Sequence, residues 1–411
     1  MESFFRLLAE RARDKEPSII RELLQYSQLP GMISLGGGYP NPETFLLQSA
    51  EFTFTGSAKS HRFSKEELAK ASQYGPSRVA KSLEPLLIDW HEKKGGPKLR
   101  EGELCVLNGS QEGLFILSYL LLETGDAVVL SEPSYPGAIS AFSSFKASFV
   151  PIPLDRDGMD MECLEQRLKD REKEGKAPPK FIYTIPKGHN PGGISMSLKK
   201  RRKLLEIAQI HELIVLEDDP YELLRYDTEE LPSLQSLDPD GRVIRLDSFS
   251  KIFLPGLRLG YVSAASEIVR LFELVKQSLN LHSSSFNQAI LASYLQKEGA
   301  YGLLEEVRKT CSLYVQKRDL IVDAAREYLP EAVEFDEPQG GFFLWLRLPE
   351  KIDARELHSR FTESHKVLLV PGYGFSTQNA CRNCMRASFA TVSSEDLREG
   401  IARFSRMLED Y

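Results

Sequence analysis

Arg242-Val-Ile-Arg-Leu-Asp-Ser248-Phe-Ser250-Lys251 is an apolar run that ends abruptly in a serine turn and a lysine, and Gly256-Leu-Arg258-Leu-Gly-Tyr follows it. The run reads as a strand, which places Lys251 at a strand end, where open α/β sheets build their sites. A lysine amine can condense with a carbonyl, the Ser248 and Ser250 hydroxyls can hold phosphate oxygens, and Arg258 can add a full charge to the same dianion. Alone, the segment also fits a solvent-exposed lysine beside a serine turn, so its meaning depends on the rest of the chain.

Three upstream segments bear on it. Asn108-Gly109-Ser110-Gln111-Glu-Gly precedes an apolar stretch beginning at Leu114 and ending near Glu123-Thr-Gly-Asp. Ser110 reads as a helix N-cap and Gly125 as a stop. The free N–H groups and positive dipole end at Gly109, Ser110 and Gln111 suit a phosphate ester, although an ordinary capped helix has the same signature. Next, Phe181-Ile-Tyr-Thr-Ile reads as a buried strand running into the turn-rich Pro186-Lys-Gly-His-Asn190-Pro-Gly-Gly. Asn190 could donate to a phenolate oxygen there, though such turns also serve backbone geometry alone. Last, in His211-Glu-Leu-Ile-Val-Leu-Glu-Asp218-Asp-Pro-Tyr221, acidic residues appear where a doubly buried strand ends. A buried Asp218 needs a cation opposite it, such as a protonated pyridine nitrogen. Glu217 and Asp219 read as a solvated turn.

The order Gly-Ser-Gln, Asn-Pro-x-Gly, Asp-x-x-Tyr, Ser-x-Ser-Lys and Gly-Leu-Arg-Leu-Gly resembles the fold-type I aminotransferases, the aspartate aminotransferase superfamily. The resemblance spans nearly the whole chain, from Ile19-Ile-Arg21-Glu and Ser34-Leu-Gly-Gly-Gly38-Tyr39-Pro-Asn-Pro through Tyr74 and Glu132-Pro-Ser-Tyr135 to Gly340-Gly-Phe-Phe343-Leu-Trp and Met385-Arg386-Ala-Ser-Phe. Within the superfamily the chain looks most like the kynurenine/2-aminoadipate group. The resemblance implies pyridoxal 5'-phosphate as cofactor, Lys251 as the Schiff-base lysine and proton shuttle, and Asp218 as partner of the pyridinium nitrogen. It implies that Asn190 and Tyr221 hold the phenolate oxygen and Tyr135 stacks on the ring. Gly109, Ser110, Gln111, Ser248, Ser250 and Arg258 would hold the phosphate, and Tyr74 would reach the phosphate of a neighbouring subunit in a homodimer with shared sites. Arg386 would clamp the substrate α-carboxylate in a bidentate geometry that lysine cannot imitate, with Asn190, Gly38, Tyr39, Arg21 and Phe343 lining the rest of the substrate site. The implied reaction is transamination from an aromatic, kynurenine or 2-aminoadipate-like amino acid to a 2-oxo acid such as 2-oxoglutarate. Two departures bear on side-chain specificity: Lys187, His189 and Gly192 surround the Asn190-Pro191 core, and Tyr39 stands where the family carries a smaller aliphatic residue.

At 411 residues, 42% hydrophobic and 27% charged, the chain is globular and too long for one ordinary core. A net charge of −7 argues against nucleic acid as main partner, and no apolar stretch reaches membrane-spanning length. Five cysteines without a secretory signal suggest reduced thiols in the cytoplasm, with the mitochondrial matrix as the other compartment considered. Cys381-Arg-Asn-Cys384 lacks the second pair a zinc site would want, so no metal is expected.

The expected fold class is α/β: a large domain over residues 46–300 with a mainly parallel sheet covered by helices, and a smaller α+β domain over 301–411. Residues 1–45 form an arm that contributes to the small domain and the substrate pocket. Strands are expected at Ala127 to Leu130, Lys180 to Ile185, Leu213 to Leu216, Arg242 to Leu246, Leu259 to Ser263, Gly341 to Leu348, Val367 to Val370 and Met385 to Ala390. The basic run Lys199-Lys-Arg-Arg-Lys reads as the exposed first turns of a helix whose apolar face is Leu204, Leu205, Ile207 and Ala208. Other cofactor-sharing chemistries, such as elimination, decarboxylation and racemisation, fit the same fold. A regulatory sensor module would need a DNA-binding domain ahead of residue 46.

Overall fold

The computed structural model describes residues 2–13, 15–16, 31–32, 38–57, 60–226 and 230–411. The main sheet has eight strands: β1 (Leu104–Leu107), β2 (Ala127–Glu132), β3 (Ser148–Asp155), β4 (Gly158–Met159), β5 (Phe181–Thr184), β6 (Ile214–Asp218), β7 (Val243–Ser248) and β8 (Gly260–Ser263). Their spatial order is β1-β8-β7-β6-β5-β2-β3-β4. A smaller antiparallel sheet orders β9 (Glu334–Phe335), β10 (Phe343–Arg347), β12 (Cys384–Ser388) and β11 (Val370–Pro371) as β9-β10-β12-β11. The fold class expected from sequence is therefore the one observed.

Two compact units divide the chain, one of residues 1–122 and 244–306, the other of 123–243 and 307–411. In the first, β8 runs antiparallel to both β1 and β7. Only residues 249–259 link β7 to β8, too few for the crossover helix that a parallel return requires. In the second, β2 pairs parallel with β3 and β5, and β5 parallel with β6. The helix Leu198–Ile210 buries Leu204, Leu205, Ile207 and Ala208 in a cluster with Val129, Ile152, Ile182 and Val215. Each of the leucine, isoleucine and valine side chains adds ~1.5–3 kcal/mol on full burial.

Several local expectations are corrected. Strand β3 was missed because Pro151 and Pro153 interrupt it. The Pro153 carbonyl accepts from Asp160 N–H on the β4 side, so both proline nitrogens face away from β2 and no ladder bond to β2 is lost. Glu217 and Asp219 are buried, not solvated. Glu217 accepts the Leu234 and Gln235 N–H groups at 2.8 and 3.0 Å and so caps the short helix Leu234–Leu237. Within the basic run, Arg201 is buried and donates to the carbonyls of Met196, Pro232 and Pro186. The cap of the Ser110–Leu121 helix is Gly109, with Ser110 as its first helical residue.

The loop after β5 is held by backbone against backbone. Gly188 has φ +54°, and a Cβ there would lie 2.6 Å from the Gly341 nitrogen and 2.7 Å from the Gly340 carbonyl carbon. His189 is buried next to it. Gly192 N–H donates to Nδ1 at 3.3 Å, which leaves the proton on Nε2 to bond Ser131 Oγ at 2.9 Å. Burial pushes the imidazole down from 6.5 to about 3, so the ring is neutral.

Two outcomes follow from this loop. Gly188→Ala is expected to destabilise the fold by about 1–3 kcal/mol in denaturant melts, since a left-handed backbone and a backbone clash coincide. For His189, the unfolded chain binds a proton below pH 6.5 that the folded chain refuses until about 3. Stability is therefore lost as pH falls through that window. His189→Gln should show a shallower fall of stability over the same window in melts across a pH series.

Candidate active site

Strand β7 ends at Ser248, and the turn beyond it carries Ser250 and Lys251, in the same unit as the Ser110–Leu121 helix. The cap residue Gly109 has φ +81°, and a Cβ there would lie 2.5 Å from the Arg258 guanidinium. Glycine alone permits that approach. Gly260 does the same on the strand side, where a Cβ would lie 2.5 Å from the Asp247 carbonyl and 3.1 Å from Ser110 N. Arg258 adopts a left-handed φ of 52°. Its Nη1 donates to Ser250 Oγ at 3.3 Å and its Nη2 to the Asn108 carbonyl at 3.4 Å. Ser248 Oγ accepts from Ser250 N–H at 3.2 Å. A helix N-terminus, a guanidinium and two hydroxyls are thus gathered in one cradle, the donor set a phosphate dianion requires.

Beneath the cradle lies a charge network that sequence reasoning missed. Asp247 is buried and receives Lys94 Nζ at 2.7 Å and Arg245 Nε at 3.1 Å. Burial pushes its carboxyl up, but the Arg245 and Lys94 charges outweigh burial and hold it well below the usual carboxylate range. The residue immediately before Ser248 is therefore fixed in place. Tyr74 is exposed in this unit, 6.4 Å ring to ring from Tyr39 and 5.9 Å from His282. Gly38 and Tyr39 are exposed, and Arg21 lies outside the described residues.

The second unit gathers Asn190, Asp218, Tyr221, Phe343 and Arg386. Asp218 closes β6 and is 2% exposed. It accepts the Tyr183 hydroxyl at 2.9 Å from neighbouring β5. Tyr183 was missed, although its place on a strand parallel to β6 was readable. Burial, then the Asp218 charge, push the Tyr183 phenol well above its usual range, so it stays a donor. Tyr221 is buried and its phenol is likewise raised by burial, then by Tyr135 and the Asp218 charge, against the Arg386 charge. Tyr135 is half-buried at the start of the Pro136–Ser143 helix.

Arg386, on β12, donates from Nη1 to Asn190 Oδ1 at 2.9 Å. Its guanidinium lies 4.1 Å from the Phe343 ring centre and 4.9 Å from that of Phe375. Phe375, in a single 3-10 turn, was also missed; nothing in its local sequence marks it. The Arg386 Nε is buried without a hydrogen-bond partner. Among the described residues no carboxylate forms an ion pair with this guanidinium. An unpartnered donor aimed from a half-buried cation fits an incoming carboxylate, and the cradle of the first unit fits a phosphate ester. The residues present therefore suit pyridoxal phosphate and an amino acid. Among the described residues no cluster of three or more His, Cys, Asp or Glu side chains could hold a metal ion, and no helix is long and apolar enough to cross a membrane.

Comparison with known proteins agrees. Residues 48–404 match the family described as aminotransferase class I and II. The chain is 36% identical over 403 residues to aromatic-amino-acid aminotransferase 1 of Thermococcus litoralis, covering 98% of this chain and 94% of that one. It is 30% identical over 424 residues to the mitochondrial kynurenine/alpha-aminoadipate aminotransferase of Bos taurus, covering 99% of each. The crystal structure of Pyrococcus horikoshii kynurenine aminotransferase, in complex with PMP, KYN as substrates and KYA as products, superposes with a TM-score of 0.79 at 33% identity, covering 98% of this chain and 97% of that one. The chain therefore belongs to the class I and II aminotransferases, pyridoxal-phosphate-dependent enzymes of fold type I, and is similar to their aromatic, kynurenine and 2-aminoadipate members.

Proposed function

We propose that this enzyme moves the amino group of an aromatic, kynurenine or 2-aminoadipate-type amino acid to a 2-oxo acid such as 2-oxoglutarate. The observation that carries the reading is Arg386, a half-buried guanidinium with an unpartnered Nε and, among the described residues, no carboxylate paired with it. It takes the substrate α-carboxylate, while Asn190, Phe343, Gly38, Tyr39 and Arg21 complete the substrate site. Pyridoxal phosphate, when bound, supplies the electron sink for breaking the Cα–H bond. Gly109, Ser110, Gln111, Ser248, Ser250 and Arg258 hold its phosphate. Tyr135 covers the ring face, Asn190 and Tyr221 hold the phenolate oxygen, and Asp218, as an anion, keeps the ring nitrogen protonated. Lys251 would hold the cofactor through its amine and would serve as the general base toward the Cα proton of a bound amino acid.

The family resemblance supports a homodimer in which the exposed Tyr74 reaches the partner's phosphate, with an arm over 1–45 and domains over 46–300 and 301–411. A reducing compartment, the cytoplasm or the mitochondrial matrix, suits the five free cysteines. Neither nucleic acid nor membrane enters this reading.

Borohydride treatment of the cofactor-loaded protein should fix the cofactor to Lys251 in peptide maps; attachment at another lysine would overturn the assignment. Arg386→Lys should lower kcat/KM for every donor in an amino acid panel with 2-oxoglutarate. The expected loss is about 1.5–3 kcal/mol, on the order of tenfold to a hundredfold, for a charged bidentate contact. Impairment confined to one donor would remove Arg386 from the α-carboxylate role.

A further inference from the structure

Cys381-Arg-Asn-Cys384 has no part in the roles above, yet its geometry is specific. Cys384 N–H donates to the Cys381 carbonyl at 3.2 Å. That bond closes a four-residue turn and keeps its outer Cα atoms within ~7 Å, and a disulfide requires Cα atoms ~4.4–6.8 Å apart. Cys384 Sγ lies 4.0 Å from Asn383 Oδ1, and each thiol is the largest influence on the titration of the other. The Cys381 side chain, helped by the Arg347 charge, lowers the Cys384 thiol, whereas the Cys384 side chain and burial raise Cys381. One cysteine is thus biased toward thiolate and the other remains a proton donor, unlike the inert thiols of an apolar core.

The position of the pair gives it a route both outward and inward. Both side chains are buried, but Gln378, Asn379, Ala380 and Arg382 around them are exposed, so opening of this surface turn admits a small reagent. On the inner side, the two cysteines pack with Trp345 and Phe375. Cys384 and Arg386 lie on the same strand, with Arg386 opposite Trp345 in register, and Phe375 is one of the two aromatic faces against the Arg386 guanidinium. A Cβ on Gly372 would come within 2.7 Å of the Cys384 Cβ. With so little space, movement of the sulfurs is passed to the aromatic cluster.

We infer that Cys381 and Cys384 form a reversible disulfide by exchange with a low-molecular-weight disulfide, and that its formation shifts Trp345 and Phe375 beneath Arg386 and weakens the hold on substrate carboxylates. The second half rests on the aminotransferase reading; the first does not. In the exchange, the Cys384 thiolate attacks one sulfur of the small disulfide, whose S–S bond breaks and whose other half leaves as a thiolate and takes up a proton. Cys381 then loses its proton and attacks the Cys384 sulfur, releasing the second small thiol. The departing small thiolate takes up the proton that Cys381 loses. Two protein thiols are oxidised by two electrons, and one small disulfide is reduced to two thiols.

The test uses the cofactor-loaded full chain in buffers of oxidised and reduced glutathione. Alkylation and peptide mapping should find Cys381 joined to Cys384 under oxidation while Cys105, Cys163 and Cys311 remain alkylated. Tryptophan fluorescence should change, and the KM of every amino donor should rise severalfold with kcat and cofactor absorbance unaltered. A thiol reductant should reverse all of these. Cys381→Ser and Cys384→Ser should each abolish the response and keep the KM of the reduced enzyme. Full alkylation of both cysteines in oxidised glutathione, or a Cys384→Ser protein that still responds, overturns the disulfide. A mapped disulfide with unchanged KM overturns its link to Arg386. Thiol mapping needs no substrate, so failure of the aminotransferase reading would show separately, as a reduced protein without turnover.

Discussion

A guanidinium withdrawn from water without a carboxylate beside it costs several kcal/mol, and the second unit is organised around holding Arg386 in that condition. Phe343 and Phe375 present ring faces to it at 4.1 and 4.9 Å, contacts of the kind that add ~0.5–2 kcal/mol each. Asn190 accepts one of its N–H groups. These partners offset part of the desolvation and leave the anion-seeking face unsatisfied. A carboxylate on the chain itself would make a more stable protein and block the proposed substrate contact.

Holding that arrangement requires rigidity nearby, which explains features that otherwise look wasteful. The Asn190 loop is locked by a left-handed Gly188 pressed on Gly340 and Gly341, by a neutral buried His189, and by Ser131. Strand β10, carrying Phe343, begins two residues after Gly341. The same backbone contact therefore fixes the amide that meets Arg386 and the ring that covers it. In the first unit Asp247, pinned by Lys94 and Arg245, plays the corresponding part for Ser248 and the turn to Lys251.

The sequence carried the elements whose signals are local. Asp218 was readable as a buried strand end because acidic residues interrupt an apolar run, and the helix face Leu204, Leu205, Ile207 and Ala208 follows from 3.6-residue spacing alone. What failed depended on partners distant in the chain. Glu217 was read as solvated because nothing in sequence shows that the N–H groups of Leu234 and Gln235 wait for it. Arg201 is buried because three carbonyls outside its helix surround it. Strand β8 was foreseen, but its antiparallel direction is set by the length of the link from β7. Tyr183 and Phe375 touch Asp218 and Arg386 through contacts made only once the strands pair and the 3-10 turn docks.

The departures at Lys187, His189 and Gly192 bear on specificity differently once the loop is seen folded. Both ring nitrogens of His189 are occupied, one by Gly192 and one by Ser131, and the ring is buried and neutral. Lys187 is also buried. Such side chains set the shape of the loop rather than present chemistry to a passing amino acid. Gly38 and Tyr39, by contrast, are exposed, and a rigid aromatic side chain there adds apolar contact area at little entropic cost. In the proposed reading, discrimination among amino donors thus separates physically from recognition of their common carboxylate. The cation proposed for the common group sits on a paired strand, and the residues proposed for the variable group are exposed and outside the sheets, where substitution changes contacts without disturbing a core.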